Sequence, residues 1–261
     1  MFEETWFLCP VLFIFGTMFG SFANVVIYRM PKGESVVFPR SFCRACSTPI
    51  PWYNNIPVLS WFILRGKCAK CGAKYSFRYP FVELLMGTLF ALAGYSLGFE
   101  WTLLEALIFI FCVVCASFID LDHMILPDKF TLSGIAIGLI GAALNPDRAF
   151  MPALIGAVFG FGFLWAIAYL YIVFRNREGM GGGDIKLIAW IGAVLGWKAI
   201  PFVILVSSMI GSVVGVAVAL RTKGGMNQEI PFGPFLAGAA LLYLLLDGQR
   251  LADWYLALHG L

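Results

Sequence analysis

The chain has 261 residues, of which 61% are hydrophobic and only 13% charged. A water-soluble domain is about half apolar and about a quarter charged, so this composition excludes an ordinary soluble enzyme and makes lipid the solvent for much of the surface. A formal net charge of +3 on so apolar a chain leaves little free basic surface, which argues against nucleic acid as a partner.

A hydrocarbon core about 30 Å thick takes roughly 20 apolar residues in helix. By that measure eight segments are expected to span: about 7–28, 81–99, 102–120, 130–145, 151–174, 184–197, 199–220 and 232–256. The expected fold is therefore an all-α polytopic membrane protein. The chain starts Met1-Phe2-Glu3-Glu4, acidic where a cleaved signal peptide is basic, so residues 1–28 are expected to be a retained first span.

Residues 29–80 form the one sizeable soluble segment, too short for a large core and so in need of a staple. Within it, Cys43-Arg44-Ala45-Cys46 and Cys68-Ala69-Lys70-Cys71 are two CxxC pairs with 21 residues between them. Each pair sits on a short turn that aims two thiolates at one point. Two such turns make the tetrahedral four-thiolate site of structural zinc. The alternatives are two disulfides or four free thiols. A closed four-thiolate site has no open position for chemistry, so its expected role is to hold the loop together.

The next two spans lead to the first acidic cluster. Cys112 and Cys115 repeat the CxxC spacing in an apolar run, where they are most simply small buried residues on one helix face. Acidic groups within or at the edge of spans are costly and therefore candidates for function. One cluster runs from Ser117 to Asp128 and holds Asp120, Asp122, His123 and Asp128. The other is Gly179-Met180-Gly181-Gly182-Gly183-Asp184-Ile185-Lys186. Between them, Gly156, Gly160 and Gly162 in the fifth span read as close helix packing. The sixth span is short and starts at a charged residue, so it needs neighbours to support it. Asp247 falls toward the outer half of the last span.

Lysine and arginine give the orientation. The segment between the first two spans has nine cations (Arg29 to Arg78) against one acid, Glu34. Placed in the cytoplasm, it sorts fifteen cations onto one face, including Lys129, Lys186 and Lys223, and leaves three, Arg148, Lys198 and Arg250, on the other. The thiols then face a reducing compartment, which argues against persistent disulfides. Asp120 and Asp184, although 64 residues apart, fall at the same cytoplasmic depth, so one pocket can hold both.

Two facing carboxyl groups can share a proton. One acts as general base on a water while the other protonates or hydrogen-bonds a scissile carbonyl. The glycines before Asp184 are expected to let backbone approach an extended peptide and to adopt positive φ. The bland alternatives are an N-cap role for Asp184 and for Asp128, which follows Pro127 at a helix start, and solvated loop positions for Asp122 and His123. A metal site built from Asp120, Asp122, His123 and Asp128 lacks a second histidine or a ligand repeat.

At these residues the sequence resembles the type IV prepilin peptidase family, whose members are bifunctional leader peptidases and N-methyltransferases. The resemblance covers nearly the whole chain. It rests on Gly20-Ser21-Phe22-Ala23-Asn24-Val25-Val26-Ile27-Tyr28-Arg29, the paired CxxC loop, Tyr79-Pro80-Phe81-Val82-Glu83-Leu84, Ile119-Asp120-Leu121-Asp122-His123 with Leu126-Pro127-Asp128, Gly181-Gly182-Gly183-Asp184, and Ile230-Pro231-Phe232-Gly233-Pro234. It implies that Asp120 and Asp184 are the catalytic aspartates of an aspartic endopeptidase spanning 81–261, and that 29–80 binds zinc on the cytoplasmic side of a bacterial inner membrane. It also implies prepilin or pseudopilin substrates cut after a short basic leader, followed by N-methylation with S-adenosylmethionine. It does not fix the methyl-donor site, for which Gly66, Lys67 and Glu83 are the candidates, and no soluble methyltransferase fingerprint is visible. Two readings of other classes are a transporter with acidic relay residues, whose polar groups would lie near the bilayer midplane, and a zinc-stabilised assembly protein without catalysis.

Overall fold

A computed structural model describes residues 2–177, 179–221, 230–246 and 248. Among these the regular elements are helical, with two isolated bridges and no strand. The α-helices are α1 (Phe2–Arg29), α2 (Leu59–Ile63), α3 (Arg78–Leu97), α4 (Trp101–His123), α5 (Asp128–Leu144), α6 (Phe150–Arg175), α7 (Gly182–Leu195), α8 (Ala199–Arg221) and α9 (Gly233–Leu245). Each of the eight apolar segments overlaps a helix, the last through Gly233–Leu245, since most of its remainder lies outside the described residues; helix is what lipid demands, because it offers the backbone no hydrogen-bond partner. Among the described residues, five helices are long and apolar enough to cross a membrane: Trp6–Lys32, Arg78–Leu97, Trp101–His123, Phe150–Arg175 and Ala199–Arg221. At 17, 14 and 13 residues, α5, α7 and α9 are shorter than a full crossing. Lys223, Asp247 and Arg250 lie outside the described residues.

The chain divides into two compact units, Met1–Leu103 and Leu104–Leu261. In the first, α1 packs along α3 with small residues in the seam. A Cβ on Gly16 would stand 2.7 Å from the Gly87 Cα, and one on Gly20 would meet the Glu83 backbone, so the two backbones touch as glycine seams in membranes allow. Asn24 Nδ2 donates to the Tyr79 carbonyl at 3.1 Å, which fixes the entry of α3. The Arg29 guanidinium is buried and donates to the Ser35 carbonyl at 3.1 Å and the Pro39 carbonyl at 2.8 Å, folding the loop back over the end of α1.

In the second unit, α7 is enclosed by α5, α6, α8 and α9, and every residue from Ile188 to Ala193 is buried. This is how so short an apolar helix is stabilised: its neighbours, rather than lipid, cover it. Gly160 brings α6 within reach of the α7 backbone, since a Cβ there would stand 2.9 Å from the Ile188 carbonyl, and Gly156 likewise abuts the Gly192 carbonyl. Gly162 faces open space and takes no part in the seam. The outer faces of α6 and α8 carry exposed Trp165, Leu170, Leu205 and Val213, the surface expected to meet lipid.

Candidate functional site

Asp120 lies in the last turn of α4 and Asp184 in the first turn of α7. Both are buried, at 5% and 9% exposure, and their carboxyl groups are close enough to interact electrostatically. Asp120 Oδ2 accepts the backbone N–H of Gly233, at the start of α9, at 3.1 Å. A Cβ on Gly233 would stand 2.6 Å from that oxygen and 3.2 Å from the Leu126 methyls, and one on Gly183 would stand 2.9 Å from the Leu126 Cβ. Buried Leu126 thus fills the space between Gly233, beside one aspartate, and Gly183, beside the other.

The glycines at this site matter for the room they leave. Gly181 has φ −70°, and among the described residues the positive-φ glycines are Gly33, Gly66, Gly72, Gly98 and Gly196; the expected left-handed backbone before Asp184 is absent at Gly179, Gly181, Gly182 and Gly183. Asp184 is not the cap of α7, because Gly181 occupies that position and its carbonyl accepts the Asp184 N–H at 3.1 Å. Asp128 does not cap α5 either. It is the first helical residue, after Pro127, and it pairs with Lys186 Nζ at 2.6 Å. Asp122 and His123 are exposed. Among the described residues the acidic cluster does not converge as a metal-ligand group; only the cysteine quartet does.

On the reading of Asp120 as a catalytic aspartate, which the resemblance implies, we expect Gly233→Ala to reduce peptide cleavage about a hundredfold, the cost of an ångström-scale displacement of a reacting group, with little change in Tm. The new methyl forces the Asp120 carboxylate off the Gly233 N–H. Turnover against substrate concentration, read beside a melting curve, checks this.

In the first unit, the Sγ atoms of Cys43, Cys46, Cys68 and Cys71 all lie within 4.8 Å of one another. The two turns repeat one geometry. The Cys43 N–H donates to the Thr48 carbonyl at 2.9 Å and the Cys43 carbonyl accepts from Ser47 at 2.7 Å; the Cys68 N–H donates to Ala73 at 2.8 Å and the Cys68 carbonyl accepts from Gly72 at 3.0 Å. Ser47 and Gly72, the residues that follow the second cysteine of each pair, share positive φ, 54° and 71°. The Cys43 and Cys71 sulfurs are 3.8 Å apart. That is far beyond the ~2.05 Å of a disulfide and equal to the edge of a tetrahedron with bonds of about 2.3 Å, the zinc–thiolate length. The Tyr75 hydroxyl, followed by the Cys46 and Ala45 N–H groups, draws the Cys43 thiol down to about 6. The backbone N–H groups of Cys71 and Lys70 likewise lower that of Cys68. Cys115 is buried and Cys112 half-buried, as small residues in an apolar helix.

The first unit also holds a cavity of about 400 Å³ whose walls include Asn24, Tyr28, Arg44, Trp61, Lys67, Tyr75 and Glu83. Glu83 Oε2 accepts the Val58 N–H at 2.6 Å. Val58 has φ 63° and ψ −58°, and the N–H that follows it bonds back to the Pro57 carbonyl at 2.6 Å. This is a γ-turn of the strained hand on a β-branched residue, a conformation that persists only where the surroundings impose it. Gly66, at φ +65°, sits against the Trp61 indole, which a Cβ there would approach to 2.8 Å, and its carbonyl accepts the Tyr75 N–H at 2.7 Å. Gly66 therefore supports two residues of the cavity wall, while Lys67 and Glu83 are themselves part of it.

A polytopic helical membrane protein with a buried aspartate pair in one unit and four converging thiols in the other is the class that this fold and these sites define. Residues 14–97 match the bacterial peptidase A24 N-terminal domain and residues 106–216 match the type IV leader peptidase family. The chain is 38% identical to the prepilin leader peptidase/N-methyltransferase of Aeromonas hydrophila over 96% of this chain and 94% of that one. It is also 38% identical to the Neisseria gonorrhoeae protein of the same name, over 96% and 95%, and 44% identical to that of Myxococcus xanthus, over 84% and 65%. No solved structure matches it. The chain belongs to the type IV leader peptidase family.

Proposed function

We propose that this protein is a membrane aspartic endopeptidase that removes the basic leader of type IV prepilins or pseudopilins and then N-methylates the new terminus. The pairing of buried Asp120 and Asp184, with the Gly233 N–H on Asp120, is the observation that carries the reading. Two buried carboxyl groups that interact electrostatically can share one proton. The ionised member takes a proton from a water that attacks the scissile carbonyl carbon, while the protonated member gives its proton to the carbonyl oxygen. When the tetrahedral intermediate collapses, a proton passes to the departing amine nitrogen. The names of the relatives supply the substrate class, and family membership disfavours the transporter and non-catalytic assembly readings.

The charge asymmetry of the loops supports an inner-membrane orientation with residues 29–80 and the aspartates on the cytoplasmic side. There the site meets the cleavage point of a membrane-anchored prepilin without drawing its leader into lipid. Cys43, Cys46, Cys68 and Cys71 would hold zinc, whose part is structural. The cavity walled by Lys67 and Glu83 suits S-adenosylmethionine, which supplies an electrophilic methyl when bound. An anionic Glu83 suits its cationic sulfonium and amino groups, and Gly66 supports Trp61 and Tyr75 behind it. We expect Glu83→Gln to retain the bond to Val58 N–H, leave cleavage within about twofold and lower methyl transfer roughly tenfold or more, the worth of a charged hydrogen bond.

Mass spectrometry of a prepilin incubated with the purified enzyme and S-adenosylmethionine tests the whole reading. The expected product has lost its leader and gained one methyl on the new terminus. An unshortened prepilin would overturn the peptidase assignment, and a shortened but unmethylated one the transferase assignment.

A further inference from the structure

The two helices that carry the aspartates are linked at three levels, and the residues involved run in opposite chain order on the two. At one end Asp120 of α4 and Asp184 of α7 lie close enough to interact electrostatically. Further along, the Phe109 and Trp190 rings meet edge to face with centroids 5.2 Å apart. At the far end sits Glu105, fifteen residues before Asp120 in the sequence and so about 22 Å away along the helix. Its Oε2 forms an ion pair with Arg148 Nη1, and its Oε1 accepts from Asn145 Nδ2 at 3.1 Å. Arg148 also reaches α7, where Nη2 donates to the Ala193 carbonyl at 3.0 Å and the Val194 carbonyl at 2.7 Å. Those carbonyls lie in the last turn of α7, where the helix itself provides no donor. The ion pair is largely shielded, both side chains being 17% exposed. Asn145 is 2% exposed and its Oδ1 accepts the Asp147 N–H at 3.0 Å, which fixes the turn that delivers Arg148.

We propose that Arg148 is a positioning residue for the aspartate pair. Its planar guanidinium locks the axial register of α4 against α7 and thereby sets the distance between Asp120 and Asp184. This rests on the reading of those two residues as the catalytic pair. The fork is directional: one edge is committed to a carboxylate on α4 and the other to two carbonyls on α7, so a slide of either helix by one residue, about 1.5 Å, breaks one set of bonds. A lysine at the same place offers a point charge and cannot hold both helices in one plane. Glu105 marks the site in the sequence, being an acid inside an apolar span, the kind of residue that is retained only when paired.

The test uses the full-length enzyme in lipid nanodiscs, with Arg148→Lys as the primary variant, because Arg148→Ala leaves Glu105 without its cation and risks misfolding. For Arg148→Lys the expected results are a fall in kcat for prepilin cleavage of between tenfold and a hundredfold, an unchanged KM and a narrower pH–rate profile, since looser coupling of two carboxyl groups brings their apparent titrations together. Methyl transfer onto an already shortened pilin and Tm should stay near wild type. Glu105→Gln, whose single carbonyl oxygen still accepts from Arg148 while its amide NH2 faces the Asn145 donor, should fall between wild type and Glu105→Ala. Unchanged kcat and pH profile in Arg148→Lys would overturn the proposal, and so would a loss shared equally by cleavage, methyl transfer and Tm. Parallel Asp120→Asn and Asp184→Asn controls separate the two levels: activity in those variants removes the catalytic pair itself, whereas their inactivity beside a normal Arg148→Lys removes only the clamp.

Discussion

Asp184→Asn will leave prepilin uncut, with turnover down by about 10³-fold or more, the usual worth of a positioned acid–base group, and Asp120→Asn will do the same. An amide at either position can accept or donate a hydrogen bond but cannot exchange a proton with water at neutral pH, so the pair loses the shared proton on which both halves of the reaction depend. The two losses will not add. Once one member is gone the other has no partner, and the double variant should be no slower than either single one. Both side chains are buried, and each substitution replaces a carboxyl group by a near-isosteric neutral one, so folding should survive. Methyl transfer onto a shortened pilin provides the internal control, because the aspartates belong to Leu104–Leu261 and the cavity residues to Met1–Leu103. Release of a leader peptide measured by mass spectrometry, with methyl incorporation measured in parallel, reads both. Near-full processing by Asp184→Asn would end the protease assignment.

How much of this was legible in the sequence follows from how local each signal is. Apolar runs and CxxC spacing are properties of a few neighbouring residues. All eight runs accordingly overlap helices among the described residues, and the four sulfurs converge. The two aspartates were visible because a charge at the edge of a span is conspicuous whatever it touches. What was not visible depends on pairs distant in sequence. Gly233 and Asp120 are 113 residues apart, and no periodicity connects them, although the Ile230–Pro234 motif marked the place. Asp128 looked like a cap because it follows Pro127, yet its partner is Lys186, 58 residues away. The Gly-rich approach to Asp184 suggested unusual dihedrals, whereas packing against Leu126 turned out to need only the absence of a Cβ. Arg148 was counted as one of three cations on the far face, when its bonds tie together the two aspartate-bearing helices.

Removing the zinc proposed for the four thiols should have the second large effect, and it should fall on methyl transfer first. Between Met30 and Phe77 the buried apolar core amounts to Cys43 alone, so the loop cannot be held by hydrophobic burial. It depends on the Arg29 bonds, the Glu83–Val58 tie and the four thiols. A structural zinc site contributes about 10–16 kcal/mol of apparent binding free energy at neutral pH, more than the whole net stability of many small domains. Cys43→Ser or Cys68→Ser should therefore abolish stoichiometric zinc, open the loop to proteolytic nicking and dismantle a cavity whose walls include Cys43, Arg44, Lys67 and Tyr75. Methyl transfer should be lost by at least about a hundredfold, the upper range for a disrupted metal environment, and a strong chelator should reproduce the effect in the wild-type protein. Gly233, Leu126 and Gly183, the residues described around the aspartate pair, all belong to the second unit. Cleavage should accordingly persist at a substantial fraction of the wild-type rate. Elemental analysis beside the two activity assays checks the order of loss; unchanged metal content in Cys43→Ser would dispose of the zinc site, and simultaneous collapse of both activities would show that the second unit depends on the loop.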